Sequence, residues 1–406
     1  MRMPTKNERL PGKWSDDQFL DGLRMLADRD ADRCFEHLRD ELKETDFFDL
    51  FKELNRNDSF LSENIPRPLS EFFHASMQVP LIDGEPIDHD RIRRGQQVFM
   101  THAMPTALVL LAKSLPEGYA APSLSRVLSL SNNLTHHPYR RLLGVLQMVI
   151  NVSTVGGFTP SGKALITVPK IRLLHSGVRK VASEHLANYE RQFGVPINLE
   201  DMLGTVMGFS YLVIVGLQRL QIGLSDGEAE DYFYLWRIFG QMMGIHPEGQ
   251  PNNSEYIPQN LSEAKEFYES YQRRHYVNVE DNPEGQQLAV VHLNLLHDLL
   301  PQTPLRRLGM QIVPRVYMEE LIGKQGCERI GIKPVPSLVL TKWLIKTFPY
   351  IWSRLWNVVD RVDPSQHLHE NISRLFFQGL INREFDGEVT FNIPDTLEEV
   401  KTLHIR

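Results

Sequence analysis

Apolar residues recur along most of this chain at spacings of three and four, the mark of helices with one buried face. The pattern predicts two charged amphipathic helices over residues 16–30 and 32–54, with Phe19, Leu23, Leu26 and Phe35 among the inward positions. A Pro-rich passage from Ile65 to Pro86 interrupts the period and reads as mostly loop. Helices resume over 90–114, 122–134 and 138–153. The Gly/Pro stretch "STVGGFTPSGKA" (153–164) is a loop, and a helix follows over about 165–192. A further apolar helix spans 199–222. The segment "LSDGEAEDYFYLWRIFGQMMGI" (224–245) opens on a capping box, Ser225 with Glu228, and stops near Gly244. After a loop over 246–261, helices are expected in "SEAKEFYESYQRRHYV" and over 283–299, 303–323 and 337–358. Only the last twenty or so residues, "EVTFNIP" among them, have strand character. The fold class is therefore all-α, a single mainly helical globular domain. Residues 1–62 form an N-terminal helical extension, 63–330 the main unit, and 331–406 a C-terminal amphipathic aromatic helix and tail.

Composition narrows the function. The 406 residues are 42% hydrophobic and 23% charged, enough for a sizeable core and not the make-up of a disordered chain. The net charge, 44 − 51 = −7, argues against nucleic-acid binding, which needs a basic surface. Cys34 and Cys327 stand in unrelated contexts, so neither a disulfide framework nor a cysteine metal site is expected. The N-terminal "MRMPTKNERLPGKWSDDQF" has no apolar stretch of a signal peptide. A reducing, cytoplasmic setting is the expectation. The most apolar run, Met207 to Leu224, is interrupted by Gln218, Arg219 and Gln221, and reads as a buried helix rather than a lipid-spanning one.

Four stretches carry candidate chemistry. "GFTPSGKA" (157–164) imitates a phosphate-binding loop, but it ends in Ala where a magnesium-binding hydroxyl is required, and no strand precedes it. A loop re-aiming the chain is the better reading. Neither G-x-S-x-G nor a Cys with an inferable His partner supports nucleophilic catalysis. Ser337 to Val359 interleaves Trp343, Trp352 and Trp356 with Lys342, Lys346 and Arg354. That mixture suits peripheral membrane contact or an apolar-substrate entrance, or else a terminal helix packing its rings on the core. The fourth is "KIRLLHSGVR" (170–179). Val168, Ile171, His175, Val178 and Ala182 share one helical face, with Arg172 and Arg179 at its edges. No HExxH is present, so a zinc site is not supported. From spacing alone His175 is either a satisfied core histidine or the single imidazole that a haem site needs, with arginines for the propionates.

The succession "IDGEPIDHDRIRRGQQVFM", "LLAKSLPEGYAAP", "RVLSLSNNL", "YRRLLGVLQMVINVSTVGGFTPSGKA", "KIRLLHSGVRK" and "SDGEAEDYFYLWRIFGQMMGI" resembles the latex-clearing-protein and MpaB-type oxygenase family. The clear likeness spans residues 83–245, and "RRHYVNVEDNPEGQQLAVVHLNLLHDLLP" extends it more loosely. The resemblance makes 63–330 a catalytic domain around a haem b pocket. It implies His175, within R-x-x-H-x-x-V-R, as the proximal iron ligand. It places the distal side on the helix of Arg140 and Arg141, with Arg141 as the catalytic charge. Gly144 stands where rubber-cleaving members carry a lysine, and Val145 where they carry a threonine. Their upstream acidic residue has no match in "SLSRVLSLSNNL". Gly144 cannot ligate iron and Val145 offers no hydroxyl, so the distal pocket is expected to be dry and apolar. The implied activity is that of a haem-dependent oxygenase activating dioxygen or peroxide against an apolar lipid-like, terpenoid or isoprenoid substrate. Arg172 and Arg179 are assigned to the propionates. The alternative is a haem- or lipid-binding helical protein without turnover.

Overall fold

The computed structural model describes residues 12–43, 65–78, 81–130, 138–160, 162–299, 312–335 and 347. Among them the regular structure is helical, with one isolated bridge between Ile82 and Glu85. In chain order the helices begin with α1 (Asp17–Arg24), α2 (Arg29–Glu41), α3 (Arg67–Met77) and α4 (His89–Thr101). Next come α5 (Ala103–Gly118), α6 (Pro122–Leu130), α7 (Pro138–Ser153) and α8 (Lys163–His185). They are followed by α9 (Tyr189–Phe193), α10 (Leu199–Phe209), α11 (Tyr211–Arg219) and α12 (Asp226–Met242). The last four are α13 (Leu261–His275), α14 (Pro283–Leu299), α15 (Val313–Ile322) and α16 (Lys324–Arg329).

The structure departs from the periodic pattern where local chemistry breaks a helix. The Pro-rich passage read as loop contains α3. Pro66 is its N-cap and Pro68 falls in its first turn, where a missing N–H costs no helical bond. The helix expected over 90–114 bends by 84° at His102. Pro105, at the third position of α5, is tolerated because the first donors of a helix have no intrahelical acceptor. The helix expected over 199–222 breaks at Ser210, whose hydroxyl donates to the Val206 carbonyl at 2.7 Å. By length and composition Leu199–Arg219 matches a membrane span, yet most of it is buried inside the protein. The helix expected over 165–192 ends at His185 and restarts as α9. The aromatic helix of 337–358 and the strand-like tail lie outside the described residues, as does the boundary expected at 62.

The core forms around α12, which starts on the Ser225–Glu228 capping box. Its Leu235, Trp236 and Ile238 are fully buried. α4 crosses it closely at Gly95, where a Cβ would stand 2.5 Å from the Asp231 carbonyl oxygen. Leu20 and Leu23 of α1 belong to the same core. The N-terminal helices are thus built into the globule.

A buried ion pair ties α2 to α8. Asp28, the N-cap of α2, accepts two hydrogen bonds from Arg172, at 2.6 Å from Nε and 2.7 Å from Nη2. Arg172 also donates to Ser76 of α3 and lies over the Phe72 ring at 5.0 Å. Gly244, at φ +89°, leaves room for the carboxylate, since a Cβ there would lie 2.6 Å from Asp28 Cγ. One turn on, Asp32 accepts from Arg179 and from Ser176. Burial disfavours the Asp28 charge, but Arg172 outweighs it and holds the carboxyl below its ordinary value.

Asp28→Ala leaves a buried guanidinium unpaired, so chemical denaturation should show a loss of about 3–5 kcal/mol. Replacing both partners, Asp28→Leu with Arg172→Met, should cost less than that single change. The folded carboxyl titrates below its unfolded value of about 3.9, so the pair's contribution is present above about pH 4 and is lost as pH falls further.

Candidate functional site

α8 has two functional sides. With 3.6 residues per turn, Ile171, Leu174 and Val178 lie to one side of His175, while Arg172, Ser176 and Arg179 lie about 40–100° to the other. The second side is taken up by Asp28 and Asp32. The first side, with His175 at its margin, lines a cavity of about 440 Å³, within the range of small-molecule sites.

The opposite walls come from α5, α6, α7, α10, α12 and α13. They are largely apolar, with Leu124, Met148, Phe209 and Phe239 prominent. Gly144 and Val145 of α7 line the cavity, and a Cβ on Gly144 would meet nothing within 4 Å. Gly204 of α10 lies so close to Tyr271 that a Cβ would stand 2.9 Å from its ring. That approach lays the Tyr271 ring along the wall.

Five tyrosines face the cavity and their hydroxyls are tied down. Tyr189 donates to the Ser123 carbonyl at 2.8 Å and Tyr271 to Asp201 at 2.8 Å. The Tyr268 and Tyr276 hydroxyls meet at 2.9 Å. Tyr119 lies 3.1 Å from His292 Nδ1, while His292 Nε2 lies 2.7 Å from the Leu111 carbonyl oxygen. A carbonyl can only accept, so Nε2 carries the proton and Nδ1 accepts from Tyr119. Leu111 belongs to a π turn, Leu110–Ser114, inside α5. Burial lowers the His292 pKa to about 4.

Two ionisable groups other than tyrosine stand among the described lining residues, His175 and Asp201; no Lys or Arg is among them. Asp201 lies in the first turn of α10 and accepts from Ser123, Asn198 and Tyr271. Burial pushes its carboxyl up, against the nearby His275 charge and the Tyr271 hydrogen bond. Its neighbour Glu200, fully buried, points instead to Arg274 at 3.1 Å and His275 at 2.9 Å. Among the described residues no three His, Cys, Asp or Glu side chains gather as a metal-ligand set. Among the described lining residues, His175 supplies the one imidazole.

The geometry defines a helical protein with a mostly apolar chamber that carries a single imidazole among its described lining residues. The chain belongs to the family of ER-bound oxygenase mpaB/B′ and rubber oxygenase catalytic domains, whose profile matches residues 92–347, and it is an oxygenase. It is 23% identical over 301 residues to the rubber oxygenase of Streptomyces sp. (strain K30), a match covering 72% of this chain and 68% of that protein. Its fold is that of latex clearing protein in the closed state, with a TM-score of 0.61 at 19% identity, covering 82% of this chain and 91% of the other.

The structure brings Gly144, Val145 and His175 together on the cavity wall. It does not bring Arg172 and Arg179 there: both guanidinium groups turn to carboxylates of α2 and are not among the lining residues. In this structure both serve to join α8 to α2. Arg141 lies on α7 one turn before Val145, and its side chain is outside the described residues. Asp201 is the group that spacing alone did not single out. "INLED" reads as an ordinary helix start with Asn198 as cap, and nothing in it signals a chamber wall.

Burial disfavours the protonated form of His292. Its folded pKa lies below its unfolded value of about 6.5, so stability should fall as pH drops from about 6.5 towards 4. His292→Gln, which keeps a donor and an acceptor, should flatten that slope in pH-dependent denaturation. Gly144→Ala should add up to about 1 kcal/mol of thermal stability, because its methyl group meets open space and alanine favours the helix.

Proposed function

We propose that the cavity holds haem b and that the protein oxidises an apolar substrate with dioxygen. The observation that carries the reading is His175, the one imidazole among the described lining residues of a mostly apolar chamber. A haem needs one strong axial donor and a dry surround, and the donor set present fits that demand. Bound there, the haem would supply a redox-active iron at which dioxygen is activated.

The chain's own residues divide the remaining work. His175 offers one ring nitrogen, and Ile171, Leu174 and Val178 flank it with apolar surface. The Arg172–Asp28 and Arg179–Asp32 pairs fix the rotation of α8 and therefore the direction of the imidazole. Gly144 leaves open volume next to α7, and Val145 keeps that side free of hydrogen-bonding groups. We assign the distal positive charge to Arg141, on the same helix, where it would stabilise negative charge as it develops on oxygen. The substrate is a lipid-like, terpenoid or isoprenoid molecule, since few polar groups on the wall compete for it.

Protein from haem-replete cells should show a Soret band, and His175→Ala should lose it while retaining the helical circular dichroism signal. No Soret band in the parent protein, or an unchanged one in the variant, contradicts the ligation. Oxygen uptake with an unsaturated isoprenoid panel should require the reduced, haem-loaded protein. Arg141→Ala should lower that rate by about 10²-fold or more.

A further inference from the structure

Tyr119 and His292 are both buried, and the tyrosine lines the chamber. The contact between them is closely built. The Tyr119 hydroxyl lies 3.1 Å from His292 Nδ1, and the two rings meet edge to face with centroids 5.7 Å apart. Nε2–H of the same imidazole is anchored on the Leu111 carbonyl at 2.7 Å, which leaves Nδ1 as the acceptor for the phenol. The backbone is held as well. The Tyr119 carbonyl accepts from Asn282 Nδ2 at 2.8 Å, and a Cβ on Gly285 would collide with that carbonyl oxygen. The end of α5 and the start of α14 are thus fixed against each other around this pair.

The other tyrosines on the described wall have different partners. Tyr189 donates to a backbone carbonyl, a very weak base, and Tyr268 and Tyr276 share one hydrogen bond between two phenol oxygens. Tyr271 donates to Asp201 Oδ1, which also takes the Ser123 hydroxyl. Among these five, Tyr119 is the one that donates to a nitrogen base. Burial keeps that imidazole neutral at pH 7, since it brings the His292 pKa down to about 4. A phenol whose proton is held in this way is inert as an acid. Loss of one electron changes that, because an oxidised phenol is a far stronger acid than an imidazolium. The proton then crosses the 3.1 Å contact and both hydrogen bonds survive. Nδ1–H donates back to the phenoxyl oxygen, while Nε2–H stays on Leu111.

Resting on the reading of this chamber as the oxygenase site, we propose that Tyr119 and His292 form a redox-active pair beside it. Tyr119 gives one electron to an oxidant formed from oxygen or peroxide in the chamber. Its O–H bond breaks, the proton forms an N–H bond with His292 Nδ1, and a neutral phenoxyl radical faces an imidazolium. An electron from an external one-electron reductant and the proton on His292 restore the phenol. The pair takes up an oxidising equivalent that meets no substrate, and so spares the apolar side chains of the wall.

Freeze-quench electron paramagnetic resonance of the haem-loaded, full-length protein, mixed with hydrogen peroxide and no substrate, tests this. The parent should give a phenoxyl signal, and Tyr119→Phe, which keeps the ring, should lose most of it. His292→Gln keeps the phenol and a hydrogen-bonding partner but removes the base. It should slow radical formation by about 10²-fold, the scale of a positioned base, and it reads the pair if Tyr119→Phe does not fold. Formation in the parent should also be slower in deuterated water. A photogenerated ruthenium(III) polypyridyl complex, a one-electron oxidant that needs no haem, repeats the comparison on the haem-free chain. There the parent spectrum minus that of Tyr119→Phe should be a phenoxyl signal. Equal radical yields in the parent and Tyr119→Phe overturn the proposal, as does an unchanged rate in His292→Gln. So does a signal lost in Tyr271→Phe instead, which would make Asp201 the base. A missing Soret band removes the haem but leaves the ruthenium experiment to read the pair, so the two readings fail separately.

Discussion

The chamber depends on how α8 is rotated, and that rotation is set by the buried contact between Arg172 and Asp28. Two charge-assisted hydrogen bonds, backed by Arg179 with Asp32, hold one side of the helix against α2. The other side is left to form a wall. His175 stands at the border between the two, so a modest turn of α8 would swing the imidazole away from the cavity. Buried ion pairs of this kind contribute little net stability compared with apolar replacements. Their use here is orientation, in which a planar guanidinium accepts only one geometry.

The same economy governs the rest of the wall. A dry chamber tolerates polar atoms only when each has a partner. The tyrosine hydroxyls are satisfied by a carbonyl, a carboxyl, a histidine and one another, so their rings can serve as apolar surface. The π turn in α5 leaves the Leu111 carbonyl available, and His292 takes it with a fixed tautomer. Glycine supplies space where a side chain would fill it, at Gly144, and close approach where a ring must lie flat, at Gly204. What remains reactive on the described wall is one imidazole and one carboxyl.

Much of this was legible in the sequence, because helix periods and caps are local. The Ser225–Glu228 capping box, the course of α12, and the apolar face around His175 all follow from spacing along a single helix. The breaks at His102 and Ser210 were not legible, since a proline near a helix start or a serine bonded to the preceding turn is also compatible with an unbroken apolar period. Arg172 and Arg179 were assigned to a cofactor because their partners are far along the chain: Asp28 is 144 residues away from Arg172. A guanidinium at the edge of an apolar stripe looks the same whether it awaits a carboxylate of the protein or of a ligand. Asp201 stayed hidden for the opposite reason. Its local role as a helix-start acid was sufficient to explain it, and its hydrogen bonds with Ser123 and Tyr271 arise only where α6 and α13 meet α10.

Membership of this oxygenase family accounts for the fold and for the order of the matching segments. The particular chemistry then rests on what stands on the two sides of the chamber, His175 on α8 and the open, hydroxyl-free stretch at Gly144 and Val145 on α7. Anomalous diffraction at the iron absorption edge, on crystals of the haem-loaded protein, examines that arrangement directly. The account predicts one iron peak inside the chamber, bonded to a ring nitrogen of His175 and lying between α8 and α7. Iron bound at another histidine, or a chamber without iron in protein that carries it, would contradict the account.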